Sequence, residues 1–132
     1  MILHGRSISP GTASGKVLLC KDAISFLGDI NPKSGICVAP KHAIEGQCIA
    51  GKVLVFPQGK GSTVGSYVLL QLAKNGKAPA AIINSEGEPI IVVGAIISKI
   101  PMIDKLEKDP FTFLKNGMKV KVDGEKGELE TI

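Results

Sequence analysis

The chain has 132 residues, of which 44% are apolar and 21% are charged, and its formal net charge is +4. This composition predicts a single domain over residues 1–132 with a packed core and excludes a disordered chain, while the scattered surplus of basic residues favours an anionic small molecule or an acidic partner over DNA. With one Tyr, four Phe and no Trp, the chain offers few aromatic side chains on which the bases of single-stranded nucleic acid could stack. Its longest apolar run, Ile90–Ile97, is too short to cross a membrane. We therefore expect a cytoplasmic protein.

Short apolar runs bounded by glycine or proline predict strands in the first half of the chain. They lie at Gly15–Cys20, Ile36–Ala39 and Lys52–Phe56, and a proline follows each of the last two. Sixteen glycines and eight prolines imply many tight turns between short elements, which argues against a helical bundle. The pattern is typical of a β-sandwich or a barrel-like core.

One long amphipathic helix is predicted over about residues 62–75, where apolar residues recur at helical spacing. Ser62 is a suitable N-cap, and Asn75-Gly76 is a typical helix end. The next apolar run, Ala80–Asn84, predicts a buried strand. The helix therefore joins two strands in a βαβ unit, and the fold class is α/β.

The second half of the chain begins with an ambiguous run. Ile90–Ser98 fits a buried strand or a short buried helix, and the Gly-Ala and Ile-Pro pairs within and after it favour the helix. A short strand at Met102–Ile103 follows. Met118–Val122 and Lys126–Ile132 are predicted to pair as a closing hairpin.

The segment Phe56–Ser66 combines the end of a strand, a glycine-rich loop and the start of a helix. Such a helix start binds anions through free backbone N–H groups and the helix dipole, and Gly59 and Gly61 allow a ligand to approach the backbone. Four polar residues lie at the same end: Lys60, Ser62, Thr63 and Ser66. The glycine spacing excludes both a nucleotide P-loop and a dinucleotide fingerprint. An ordinary loop with a serine N-cap accounts for the pattern equally well.

The three cysteines, Cys20, Cys37 and Cys48, are separated by gaps of sixteen and ten residues. No Cys-x-x-Cys pair places two thiolates on one turn. We therefore predict buried structural thiols and no metal on this chain. Their odd number and wide spacing are typical of reduced thiols and not of a disulfide framework.

Neither histidine, His4 or His42, has a carboxylate companion in the sequence. His42 follows Pro40-Lys41, and we expect it to be exposed on a loop, with a substrate contact as the alternative. The acidic pair Glu86 and Glu88 flanks a glycine, which predicts a solvated turn.

The glycine-rich loop and its surroundings resemble a known family over nearly the whole chain. The matching stretches are Gly51–Pro57, Gly59–Ser62, Gly65-Ser66, Ala78–Ile82 and Gly94–Ile96, with further similarity near Gly5-Arg6 and His42. They resemble the small subunit of the aconitase X family. The run from Gly59 to Ala80 is its most specific part.

The resemblance implies a swivelling β/β/α domain and a role as the small subunit of a heteromeric hydro-lyase. A larger subunit is expected to carry an iron–sulfur cluster, with no cofactor on this chain. Ser62 matches the serine that acts as the catalytic base, and Lys60, Gly61, Thr63 and Ser66 around it are predicted to bind the anionic substrate. The implied reaction is dehydration of (R)-5-phosphomevalonate to trans-anhydromevalonate 5-phosphate in a modified mevalonate pathway to isoprenoids.

Two other functions remain open at this point. The chain could serve another dehydratase of the same family, such as one acting on cis-3-hydroxyproline. It could also be a non-catalytic module that uses the glycine-rich loop to hold phosphate or a partner.

Overall fold

The computed structural model describes residues 1–132 as a mixed sheet covered by helices. Eight strands form the sheet: β1 (Ile2–His4), β2 (Arg6–Ser9), β3 (Thr12–Leu19), β4 (Val53–Phe56), β5 (Ala81–Asn84), β6 (Met102–Asp104), β7 (Lys119–Asp123) and β8 (Glu128–Thr131). The helices are α1 (Phe26–Asp29), α2 (Gly65–Lys74), α3 (Pro89–Ile97) and α4 (Pro110–Phe113). None of them has the length and apolar character that crossing a membrane requires.

The sheet curls until its two edges meet. Its strand order is β1-β8-β7-β3-β4-β5-β6-β2, with β3, β4, β5 and β6 parallel and the other neighbours antiparallel. The edge strands β1 and β2 are consecutive in the chain, and only Gly5 separates them. A sheet whose edges adjoin in this way is closed like a barrel, which confirms the predicted barrel-like core.

Side chains of the parallel strands alternate between two cores. On β4, Val53 and Val55 belong to a cluster of 11 buried residues inside the curled sheet. Leu54 and Phe56 belong to a cluster of 18 buried residues that includes Leu69 of α2 and members of α3. Both longer helices therefore cover one face of the parallel strands, and the predicted βαβ unit, β4-α2-β5, is confirmed.

Of the two longer helices, one starts later than predicted. α2 begins at Gly65 and not at Ser62, because Ser62–Val64 form a turn in which the N–H of Gly65 donates to the carbonyl of Ser62 at 3.0 Å. Ser62 is therefore not the N-cap. The ambiguous run is a helix, as favoured, so α2 is accompanied by a second helix, α3, of nearly equal length: they have 10 and nine residues.

One predicted strand was wrong and two strands were not predicted. Ile36–Ala39 makes only two isolated bridges, Ile36 with Cys48 and Cys37 with Ile30, because its partners lie within the same irregular connection between β3 and β4. The strands β1 and β2 escaped prediction because they are short and mostly exposed, so they carry no apolar run.

An ion pair ties the edge strand β2 to the end of β6. The carboxylate of Asp104, which is fully buried, accepts two hydrogen bonds from the Arg6 guanidinium, at 2.9 and 2.7 Å. The backbone N–H of Gly87 donates to the same carboxylate at 2.6 Å. Because Gly87 lies in the loop after β5, this one side chain connects two strands and a loop through charge-assisted hydrogen bonds.

We expect Asp104→Asn to weaken the fold by about 1–3 kcal/mol at neutral pH, because it removes a charged acceptor of three hydrogen bonds. Burial raises the pKa of Asp104, but the hydrogen bonds from Arg6 and Gly87 together lower it further, so that the net pKa lies below its ordinary value. The stabilisation is therefore present above the unfolded pKa of about 3.9 and is lost as the pH falls through the folded pKa.

Urea unfolding at about pH 7 and about pH 3 measures this effect. The wild-type chain should lose more free energy of unfolding on acidification than the Asp104→Asn variant. An equal loss in both chains would show that Asp104 does not contribute to the acid sensitivity.

Candidate active site

Three parallel strands end at the same level of the sheet. Phe56, the last residue of β4, lies in register with Asn84 of β5, which in turn lies in register with Asp104 of β6. Both α2 and α3 start from loops at this edge. In parallel sheets, whether open or closed into a barrel, ligands bind at the carboxyl ends of the strands, and the helix starts add positive potential there.

The first part of the glycine-rich loop is held from two sides. Ile24, which is fully buried, donates its N–H to Gln58 O at 3.2 Å and accepts the N–H of Lys60 at 3.1 Å. On the other side, the carbonyl of Pro57 accepts the N–H groups of Ser85 at 3.0 Å and of Glu86 at 3.3 Å. The backbone from Pro57 to Lys60 is therefore fixed between its neighbours.

Gly59 allows this loop to touch the start of α3. A Cβ atom at that position would overlap the side chain of Ile91 and come within 2.6 Å of Glu88 Oε2. Glu88 caps α3, since its other carboxylate oxygen accepts the N–H of Ile90 at 2.7 Å. The buried Oε2 has no hydrogen-bond partner. Because a Cβ atom at Gly59 would overlap Ile91, the close approach of the loop to α3 requires glycine.

Beyond Lys60 the loop turns outward. Gly61 has a φ of +87°, a conformation that side chains disfavour, and a Cβ atom there would lie 2.5 Å from Ser25 Oγ. Ser62 and Thr63 follow, and both are exposed. Ser62 Oγ accepts the N–H of Val64 at 3.1 Å.

The exposed turn carries several unused donors. The backbone N–H groups of Gly61, Ser62 and Thr63 make no hydrogen bond within the chain, and Ser62 Oγ donates to no other group. Lys60 is exposed and takes part in none of the four ion pairs. Three successive N–H groups and an ammonium make a local surface that favours anions.

Ser66 lies behind this surface. It is only 6% exposed, and its hydroxyl donates to the carbonyl of Ile90 at 2.7 Å. Of the sequence-predicted site residues, the structure therefore brings Lys60, Gly61, Ser62 and Thr63 together on the exposed turn. Ser66 joins α2 to α3 beneath them.

His42 is not exposed, contrary to our expectation. Its side chain is 6% exposed, its Nε2 donates to the carbonyl of Ala23 at 3.1 Å, and its Nδ1 accepts the N–H of Ile44 at 3.4 Å. Packing against residues about 20 positions away, which local sequence cannot reveal, buries it. These partners leave neither ring nitrogen available to a substrate. His4 is exposed and lies 3.8 Å from Glu128.

The cysteines do not form a metal centre. No group of three or more His, Cys, Asp or Glu side chains is arranged to hold a metal ion. Cys20 and Cys37 are buried, as predicted, whereas Cys48 is half-buried. Burial raises the pKa of the Cys20 thiol to about 11 and also raises the pKa of Cys37, so both remain protonated thiols at neutral pH.

Sequence reasoning missed three polar residues at this edge. Glu88 was expected to be solvated, but it caps α3; its position before Pro89, at the start of an apolar run, is the signal that could have revealed a helix start. Asn84 is buried and donates to the carbonyl of Phe56 at 3.0 Å, while its Oδ1 has no partner. Asp104 pairs with Arg6, a contact across 98 residues that no local pattern reveals.

Comparison with known proteins gives consistent results. The family model of the aconitase X swivel domain matches residues 2–131. The phosphomevalonate dehydratase small subunit of Methanococcoides burtonii is 61% identical over 95% of this chain and 91% of its own length, and that of Thermococcus kodakarensis is 52% identical over all of this chain and 97% of its own. The crystal structure of Thermococcus kodakaraensis aconitase X in its holo form has a TM-score of 0.94 at 52% identity, covering 100% of this chain and 98% of that one.

Two conclusions follow from these matches. The fold is that of the aconitase X swivel domain, as the resemblance implied. The designation small subunit implies a larger partner subunit.

The difference in burial predicts that Cys48 reacts with thiol reagents in the folded chain and that the other two cysteines do not. We expect Ellman's reagent to modify one thiol of the folded chain, Cys48, because the other two are buried and protonated. All three cysteines of the sequence should react once the chain is unfolded. Cys48→Ser is the matched control and should abolish the reaction of the folded chain; rapid modification of Cys20 or Cys37 in that variant would contradict the structure.

Proposed function

This chain belongs to the aconitase X swivel-domain family, and we propose that it is the small subunit of a phosphomevalonate dehydratase. The enzyme would be a hydro-lyase that converts (R)-5-phosphomevalonate to trans-anhydromevalonate 5-phosphate in a modified mevalonate pathway. Relatives that carry this name and match almost the full length of the chain support the proposal.

We propose Ser62 as the catalytic base. The observation that carries this role is the state of its hydroxyl: it is exposed at the turn, accepts the N–H of Val64 at 3.1 Å, and donates to nothing in the chain. A serine hydroxyl must lose its own proton before it can act as a base, and at neutral pH it is too weak an acid to do so unaided. A hydrogen bond donated to the oxygen favours its deprotonated form, and the ammonium of Lys60, two residues away in the sequence, would favour that form electrostatically when it approaches the oxygen.

The proposed step removes a proton from the carbon next to the substrate carboxylate. Ser62 Oγ takes this proton, the electron pair of the broken C–H bond becomes the new C=C bond, and the C–O bond of the neighbouring carbon breaks. The departing hydroxyl takes up a proton from solvent and leaves as water. Ser62 then returns its proton to solvent, which restores the base for the next turnover.

The substrate of this reaction is an anion at both ends, which suits the exposed turn. We assign its contacts to the backbone N–H groups of Gly61 and Thr63 and to the ammonium of Lys60. Backbone N–H groups in a turn bind carboxylate or phosphate oxygens in this manner. Ser66, predicted as a substrate contact, is better suited to positioning the exposed turn, because its hydroxyl already donates to the carbonyl of Ile90. This hydrogen bond holds the start of α2, just after the turn, against α3.

The residues of this chain do not fit an iron–sulfur cluster. Cys20 and Cys37 are buried thiols with raised pKa values, and no group of three or more His, Cys, Asp or Glu side chains is placed to hold a metal. We therefore place the cluster that an aconitase-like enzyme implies on the larger subunit, together with the rest of the substrate site. On this proposal the chain is inactive by itself.

We expect Ser62→Ala to fold normally and to abolish turnover. Removing one exposed hydrogen bond should cost about 0.5–1.5 kcal/mol. Removing the base should lower the rate at least about 100-fold. Thermal unfolding of the variant and the dehydration rate of its complex with the larger subunit measure the two effects separately.

Thr63→Ala is the matched control, because Thr63 is the next exposed hydroxyl and makes no side-chain hydrogen bond; we expect a partial loss. The assay is run with phosphomevalonate and with cis-3-hydroxyproline. Turnover of the second substrate alone would assign the chain to another dehydratase of the family. A Ser62→Ala complex that binds substrate and keeps more than about a tenth of the rate would exclude Ser62 as the base and would leave the chain a binding module.

A further inference from the structure

An apolar groove runs between the exposed faces of α2 and α3. The two helices pack closely at Gly94, where a Cβ atom would lie 2.6 Å from Leu69 Cδ1 and 3.2 Å from Ser66 Cα. Beside this contact lies an open groove of about 550 Å³. Six residues form its walls: Tyr67, Leu70, Pro89, Ile90, Val93 and Ile97.

Several apolar side chains of the groove are largely exposed to solvent. Tyr67 is 67% exposed, Val93 50% and Ile97 42%. No charged side chain lines the groove, although the chain carries 16 basic and 12 acidic residues. A contiguous apolar patch of this kind marks an interaction surface.

We propose that the groove is the docking site for an apolar segment of the larger subunit. The inference rests on the proposed function and names the surface through which that subunit binds. Its basis is continuity: Thr63 and Ser66 line one end of the groove, and Thr63 belongs to the exposed turn that carries Ser62. A subunit that completes the active site at this turn covers the adjoining end of the groove.

The same continuity argues against a second copy of this chain as the occupant. A copy seated in the groove would cover Thr63 and obstruct the turn where the substrate must bind. A larger subunit that contributes the rest of the substrate site satisfies both requirements, because it fills the groove and faces the turn. The exposed aromatic ring of Tyr67 is then the natural anchor, since aromatic side chains dominate binding energy at interfaces.

A matched pair of variants on α3 tests the groove. Val93 and Ile96 are almost equally exposed, at 50% and 48%, but only Val93 lines the groove. We expect Val93→Arg to weaken binding of the larger subunit at least about tenfold, because a charge must be desolvated in the apolar groove. Ile96→Arg should change binding less than about threefold. Calorimetric titration of each purified small subunit with the larger one gives the dissociation constants.

The single tyrosine of the chain allows a second measurement of whether the larger subunit covers the groove, and this measurement needs no charged substitution. Fluorotyrosine incorporated throughout the chain labels only Tyr67, so fluorine NMR reports on the groove alone. We expect its resonance to shift and to lose its sensitivity to D₂O when the unlabelled larger subunit is added. Tyr67→Ala should weaken binding without loss of thermal stability, because the ring is mostly exposed.

The outcomes separate the groove from the catalytic assignment. Unchanged affinity for both arginine variants, with an unshifted fluorine resonance in the complex, would overturn the docking proposal and leave the function of Ser62 intact. A self-association of the small subunit that Val93→Arg abolishes, with binding of the larger subunit unaffected, would also overturn it and assign the groove to a second copy. Selective loss of binding in Val93→Arg supports the proposal even if the complex proves inactive on phosphomevalonate.

Discussion

The parallel register of β4, β5 and β6 is the constraint on which the rest of the structure depends. Because Phe56, Asn84 and Asp104 lie side by side, the loops after these strands leave the sheet at one level. The loop after β5 is then held from both sides. The carbonyl of Pro57 accepts two of its N–H groups, and the carboxylate of Asp104 accepts the N–H of Gly87. Both longer helices start from this edge, which concentrates positive potential where an anionic substrate is expected.

The glycine-rich loop combines a fixed half with an open half. Backbone bonds to Ile24 and the contact of Gly59 with α3 fix the first half, so the exposed turn begins from a defined position. The second half leaves three backbone N–H groups and the hydroxyl proton of Ser62 without an acceptor in the chain. Preorganised donors of this kind are what a reaction that builds negative charge requires. The apolar groove adjoins this turn, so docking of a larger subunit and completion of the site would be one event.

The apolar pattern of the sequence was sufficient to predict most of the sheet and the two longer helices, because the residues that bury each of these elements recur at regular spacing along the chain. It failed where the deciding contacts are distant. His42 is buried by packing against Ala23, Asp104 by Arg6 at the other end of the chain, and the run Ile36–Ala39 lacks the neighbouring strand it would need. Ser62 has the residue type of an N-cap, but the turn that follows delays the helix by three residues. The chemical role proposed for Ser62 came from resemblance and not from local pattern.

The central claim is that Ser62 removes the proton in an active site shared with a larger subunit. The most direct measurement is the structure of the assembled complex with substrate bound. The account predicts that Ser62 Oγ lies about 3–3.5 Å from the substrate carbon next to the carboxylate, as a near-attack geometry requires. A substrate held by the larger subunit with that carbon beyond reach of Ser62, and with another side chain in contact with it, would contradict the account.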